Sequence, residues 1–323
     1  MSLKKLVSAV GLMLLMAGVA HAEYPKKDII NIIPWSAGGG TDAAVRGFMH
    51  HVEKQIGAKI VNQNITGAQS GIGIAKLMRS RPDGYTIGSM TWDSVITVPY
   101  NKLVPGYDLA KLHFLGTITM HPTALVVAAD APWKTLEEFA AAAKAAPNTI
   151  SVSNVGSGGV WHLPALDMAD KMGIELRHIP YPKGSGPQRE ALLSGETDAA
   201  SISISGALPA LKAGKARVLG VMGEKRDALA PDAPTFKEAG FDVLWGSMRV
   251  VALPKDAPDE AKTALEEAFA KTMQNEEFLK WANETGMGPY WMGAEDTAAY
   301  IKDIQAKAFR LTDDLIAKGI LKK

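Results

Sequence analysis

The chain has 323 residues, enough for two compact units that each bury a core. Its 35 basic and 34 acidic residues nearly cancel, which removes any electrostatic reason to seek nucleic acid or an anionic membrane. There is no cysteine, so disulfides, thiolate metal sites and lipoprotein acylation are excluded.

Lys4 and Lys5, the apolar stretch Leu6 to Val19 and the small-residue site Ala20-His21-Ala22 follow the order of a cleavable secretory signal. This predicts a signal peptide over residues 1–22 and a mature chain from Glu23. The apolar run is too short, and polar sequence follows too soon, for a membrane anchor. Cleavage removes two lysines and no acids, leaving 33 basic against 34 acidic residues. A soluble protein of the Gram-negative periplasm is expected.

The next segment, IINIIPWSAGGGTD from Ile29 to Asp42, reads as an apolar strand running into three glycines and then a helix. Unpaired backbone N–H groups and the helix dipole make such a turn attractive to a carboxylate or phosphate. Val45, Phe48, Met49, Val52 and Ile56 recur at helical spacing, with Gly57 as the stop. A strand over Lys59–Ile65, a second glycine loop over Gly67–Gly73, a helix from Ile74 to Arg79, a turn at Arg81–Gly84 and a strand over Tyr85–Met90 follow.

The alternation then repeats. Thr135 and Glu138 form a capping box before an alanine-rich helix to Ala146, and a strand over Thr149–Asn154 empties into the third loop, Gly156-Ser157-Gly158-Gly159. Helix Trp161–Met172, strand Glu175–Pro180, helix Pro187–Ser194, strand Asp198–Ile204, a short helix Pro209–Ala213 and strand Arg217–Met222 complete this half. Strands alternating with helices predict two doubly wound parallel sheets. A strand over Met248–Leu253 precedes nearly pure helix from Pro258 to Lys323. That block needs a sheet to cover, so the chain is expected to cross between units near His121–Ala128 and return near Trp245–Leu253. Two crossover hinge strands then join lobe 1, residues 23–123 and 247–323, to lobe 2, residues 124–246.

Ligands of open α/β sheets bind at the carboxyl ends of strands, where these glycine loops lie. The loop Gly38-Gly39-Gly40-Thr41-Asp42 offers backbone N–H groups and the Thr41 hydroxyl, with Asp42 most simply capping the helix. His162 either donates to a ligand carboxylate or packs with Trp161. Arg249, on the returning strand, either pairs a carboxylate bidentately or bonds backbone carbonyls. Trp35 reads as a pocket wall, whereas Trp92, Trp161 and Trp245 read as packing. His50 and His51 read as helix-surface residues that cannot share a metal. Nucleotide and hydrolase signatures fail: Gly71-Ile72-Gly73 lacks the third glycine of the dinucleotide fingerprint, and no P-loop, G-x-S-x-G elbow or H-E-x-x-H occurs.

From IINIIPWSAGGGTD with Arg46, through GAQSGIG, RPDGYTIG, NVGSGGVWHL, LLSGETD, the stretch Leu211–Gly240 and ALPKDAP, the mature chain resembles the substrate-binding proteins of tripartite tricarboxylate transporters, the TctC or Bug type. The resemblance implies a two-lobed periplasmic binding protein fold of type II, no enzymatic activity, no cofactor, no metal, and a monomer. It also implies an organic carboxylate held between the lobes and delivered to the membrane permease subunits of such a transporter. Gly39, Gly40, Thr41 and Asp42, helped by Ala68, Gln69, Ser70 and Gly71, would hold the carboxylate; Ser157, Gly158 and His162 would close from lobe 2. Trp35 stands where Phe or Tyr is commoner, Gln69-Ser70 replace a smaller pair, and Pro182 is an extra residue. The ligand's class therefore stays open among di- and tricarboxylates, amino acids and aromatic acids. Two rivals are an exported enzyme using Asp42 or His162 as general base, and a sensor subunit that presents its ligand to a signalling partner.

Overall fold

The computed structural model describes residues 24–181 and 184–321, so the expected signal segment and Pro182 lie outside it. The first unit is built on β1 (Ile29–Ile33), whose parallel neighbours are β2 (Ile60–Asn64) and β3 (Thr86–Thr91). Helix α1 (Gly40–Ile56) connects β1 to β2, and α2 (Gly71–Met78) connects β2 to β3. Short helices α3 (Trp92–Val95) and α4 (Thr97–Tyr100) follow.

The next strand changes the architecture. β4 (Leu112–Ala128) runs for 17 residues and serves two sheets. Beyond it come α5 (Leu136–Ala145), β5 (Ser151–Asn154), α6 (His162–Met172), β6 (Arg177–Pro180), α7 (Ser185–Leu193), β7 (Ala199–Ser203), α8 (Ile204–Lys212) and β8 (Ala216–Val221). The chain returns through β9 (Gly246–Pro254) and closes with α9 (Asp259–Met273), α10 (Glu276–Thr285), β10 (Pro289–Met292) and α11 (Ala294–Ala317).

As far as Pro122, β4 pairs with β9, and β10 lies on its other edge; from Thr123 onward it pairs with β7 and β8. The first sheet runs β2-β1-β3-β9-β4 and the second β4-β7-β5-β6. In the first sheet β1, β2 and β3 run parallel and β9 runs antiparallel to them, and in the second β5, β6 and β7 run parallel and β4 runs antiparallel, which corrects the expectation of wholly parallel sheets. The reason is geometric, since a strand leaving one sheet and one returning must run opposite ways. The result is the two-lobed α/β fold expected from the sequence.

Two further corrections concern the C-terminal block and a histidine. The stretch read as nearly pure helix is interrupted by β10, which adds an edge to β4. His51 is buried rather than on the surface: its Nδ1 lies 2.8 Å from the Gly47 carbonyl, and its ring packs on Phe278 and Trp281. Adjacent helical positions sit about 100° apart, so His50 faces solvent while His51 faces α10. The C-terminal helices cover the first sheet: Leu265, Phe269 and Phe278 share a core with Val45, Phe48 and Val52 of α1. At its end, beyond α11, Lys318 reaches Asp170 of α6 at 2.6 Å, touching the second unit.

The crossover strands approach closely. Thr123 N–H donates to the Trp245 carbonyl at 2.8 Å, and Met222 N–H donates to the Thr123 carbonyl at 2.7 Å. A Cβ on Gly246 would stand 2.7 Å from the carbonyl oxygen of His121. Gly246→Ala should therefore force the strands apart and cost about 1–3 kcal/mol, read as a lower urea midpoint. An unchanged midpoint would contradict this packing.

Candidate functional site

All three glycine loops sit at the carboxyl ends of parallel strands: after β1, after β2 and after β5. In the first, Gly39 is the N-cap of α1 without a side chain to cap it. Among the described residues no acceptor takes the N–H groups of Gly40, Thr41 or Asp42. Gly38, Gly39 and Gly40 are exposed and Thr41 is half-buried, so these donors are open to a ligand.

Asp42 does a different job from the one expected. Its buried carboxylate accepts from Gly38 N–H at 3.0 Å, Arg46 Nε at 2.7 Å and Asn64 Nδ2 at 2.8 Å. Asn64 Nδ2 also donates to the Trp35 carbonyl at 2.9 Å. Burial alone would push the Asp42 carboxyl up; the bonds from Asn64, Gly38 and Arg46 outweigh it and hold the group below the usual carboxylate range. The side chain is thus a fastener of the loop, with only its backbone N–H turned to a ligand. Trp35, half-buried, donates from Nε1 to Thr91 Oγ1 at 3.1 Å.

The second loop stores strain. Ala68, Gln69 and Ser70 all have positive φ, at 45°, 51° and 82°. Three consecutive left-handed non-glycine residues cost on the order of 1–3 kcal/mol each and persist only where surroundings impose them. Ser70 is held by Ser94, Oγ to Oγ at 2.8 Å. Gly71 is a packing glycine: its N–H donates to the Ala68 carbonyl at 2.9 Å, and a Cβ there would meet Val104 at 2.7 Å. Among the described residues no acceptor takes the N–H groups of Ala68, Gln69 or Ser70, of which Ser70 is buried.

In the third loop Gly158 N–H donates to His162 Nδ1 at 3.0 Å. That bond fixes His162 as the tautomer carrying its proton on Nε2, and it engages both residues within the loop. Burial, with the His178 ring beside it, lowers His162 to about 3. Ser157 is exposed at the tip. Trp161 is buried, as expected from packing, and Trp92 packs edge-on against Trp245 with centroids 5.5 Å apart. Trp245 Nε1 donates to Asp167 at 2.6 Å, fastening the returning strand to α6.

Arg249 is cross-strand neighbour to Thr91 on one side and Thr119 on the other, so all three side chains share a face. Its Nη1 donates to Thr119 Oγ1 at 3.1 Å, while its Nε is sealed from solvent without a partner. Among the described residues no carboxylate lies within 4.0 Å of it. Burial lowers it to about 10, so the guanidinium stays charged at neutral pH.

Asp93 escaped the sequence reading. It lies in the first turn of α3, 6 % exposed, and accepts from Thr97 Oγ1 at 2.8 Å. The backbone N–H of Val160, just beyond the third loop, favours its ionised form, and a Cβ on Gly159 would lie 4.0 Å from its Oδ1. The side chain therefore stands between the two units. Burial pushes its carboxyl up to about 6 against the bonds from Thr97, its own N–H and Val160. Asn154, also missed, is 2 % exposed; Oδ1 accepts Gly156 N–H while Nδ2 has no partner. An acid or amide at a strand end reads as a cap or turn residue, so neither carried a distinguishing signal.

Two α/β units joined by two strands, with donor-rich loops facing between them, define a solute-binding protein. Residues 44–316 match the family described as Tripartite tricarboxylate transporter family receptor, TctC. The chain belongs to that family. It is 30 % identical over 309 residues, 95 % of this chain and 93 % of the other, to a UPF0065 protein in the gbd 5' region of Cupriavidus necator. A ligand-free TctC solute-binding protein from Polaromonas superposes with a TM-score of 0.77 at 32 % identity, covering 90 % of this chain and all of that one. The periplasmic binding protein BugD superposes at 0.78 with 25 % identity, over 93 % of this chain and 100 % of that one. Proteins of this family are periplasmic solute receptors. Among the described residues no helix is long and apolar enough to cross a membrane, and no cluster of acids and histidines could hold a metal.

Asp42→Ala would strand the donors of Gly38, Arg46 and Asn64, and a loss of about 2 kcal/mol is expected in urea unfolding; full stability would contradict the fastening role. The pH response follows from four groups that burial or partial burial shifts. Burial holds His121, His162 and His178 neutral, at about 3, 3 and 4, so the stability they carry is complete above pH 6.5 and falls on acidification. Asp93 acts in the opposite sense, its cost developing as pH rises from about 4 to 6. Counting these four groups, the unfolded state binds about two protons more than the folded one between pH 5.5 and 4.5, so their combined contribution to stability should fall by roughly 3 kcal/mol for each unit of acidification. Asp93→Asn should steepen that slope, and urea midpoints across this range check both signs.

Proposed function

We propose that this protein captures an organic carboxylate between its two lobes and hands it to the membrane permease of a tripartite tricarboxylate transporter. Lobe 1 comprises residues 23–123 and 247–323, and lobe 2 residues 124–246. Arg249 carries the reading. Arg249 is half-buried with its Nε sealed from solvent, so a charge left there without an anion is unfavourable until a partner arrives, and Arg249 stands one strand from Thr91, which holds the Trp35 loop. A carboxylate placed there meets the guanidinium and the open N–H groups of Gly40, Thr41 and Asp42, at the positive end of α1. The N–H groups of Ala68 to Ser70 and the third loop complete its surroundings. The ligand stabilises a closed form through contacts with both lobes.

The same geometry disfavours catalysis by the two candidate bases. The Asp42 carboxylate already accepts three donors, and the Nδ1 lone pair of His162 is taken by Gly158. The protein is accordingly read as a receptor.

The first test is a thermal-shift screen of organic acids, in which a ligand at a hundred times its dissociation constant adds about 2.7 kcal/mol. Gly40→Val is the informative variant, because a Cβ at Gly40 meets nothing within 4 Å and the fold should survive. Its branches would shield the N–H cluster, and every acid found in the screen should bind at least tenfold more weakly. Arg249→Met should do the same. Unchanged affinities in both variants would sink the carboxylate site, and small-angle scattering showing one lobe angle with and without ligand would sink the clamp.

A further inference from the structure

Near the crossover strands stand two opposite charges that no counter-ion cancels among the described residues. Arg249 has a threonine hydroxyl as its one side-chain partner, and Asp93 is held by neutral donors alone, with no cation within 4.0 Å among the described residues. They do not pair with each other. Yet Thr91 is the strand neighbour of Arg249, and Asp93 follows it by two residues, so the two α-carbons stand no more than about 13 Å apart. Asp93 also faces the third loop across the lobe interface, through Val160 N–H and Gly159.

We infer that the captured solute is a zwitterion, whose carboxylate meets Arg249 and the first glycine loop and whose ammonium meets Asp93. This rests on the carboxylate-receptor reading above. A plain diacid would place its second carboxylate in the field of Asp93 with only loop amides to relieve it, and like charges at an interface select against a wrong partner. An ammonium there cancels the buried acid, donates to the carboxylate oxygens and joins the two lobes through one ligand group. Thr97 holds the Asp93 carboxylate oriented in advance, which lowers the cost of recognition. Asp93 is thus a specificity residue, separate from the common carboxylate site.

The test is a paired calorimetric screen with the purified protein: aspartate against succinate, glutamate against glutarate, 4-aminobutyrate against butyrate, and phenylalanine against 3-phenylpropionate. In at least one pair the amino member should bind tenfold tighter or more, and Asp93→Asn should erase that margin without weakening the deaminated member. Equal binding within every pair overturns the inference. So does an Asp93→Asn variant that weakens both members alike, the mark of a lobe-to-lobe fastening with no part in selection. Tight binding of succinate or glutarate that Arg249→Met abolishes overturns the zwitterion while leaving the carboxylate site standing. No binding in any pair counts against both.

Discussion

The fold hangs on one strand changing sheets. β4 gives its first half to β9 and β10 and its second to β7 and β8, with the exchange falling between Pro122 and Thr123. Proline at that point has no N–H to donate, so the ladder is interrupted where the change is needed. Everything functional follows from this placement. The parallel strands of both units end near the exchange, and the glycine loops that follow β1, β2 and β5 are brought to one seam. Arg249 on β9 is half-buried in that seam between β3 and β4, and Asp93 beyond β3 is buried there beside Gly159 of the third loop.

The electrostatic design avoids lysine. Helix starts and loop amides supply partial positive charge that is fixed by the backbone and already oriented, so binding an anion there costs little reorganisation. Side chains such as Asp42, Asn64, Arg46 and His162 spend their bonds on the loops themselves. What is left without a counter-ion among the described residues is the side-chain charge of Arg249 and of Asp93, beside loops whose backbone N–H groups are unpaired.

Much of this was legible in the residues. The three glycine loops, the amphipathic pattern of α1, the cap at Gly57 and the strand–helix alternation follow from local chemistry, and the structure has them at those positions. β4 was hidden because Gly116, His121 and Pro122 break its apolar run, so it read as a crossing point rather than a 17-residue strand. β10 was hidden because PYWM is four residues long and begins with proline, and only its pairing with β4 makes it a strand. The burial of His51 depends on α10, more than 200 residues away in sequence. Asp93 is the sharpest case. At a helix start an acid is ordinary, and only the arrival of Val160 from the other unit turns it into a buried charge between lobes.

The contact of Lys318 with Asp170 adds a last consequence. Two adjacent strands leave the units essentially one rotation, about an axis along the crossover. An ion pair at the far end of α11 lies off that axis, so it lengthens or shortens as the angle changes. Its partners are largely exposed, and such pairs are weak and screened by salt. The contact therefore adds a weak, salt-sensitive tie between the end of α11 and α6, separate from the crossover strands.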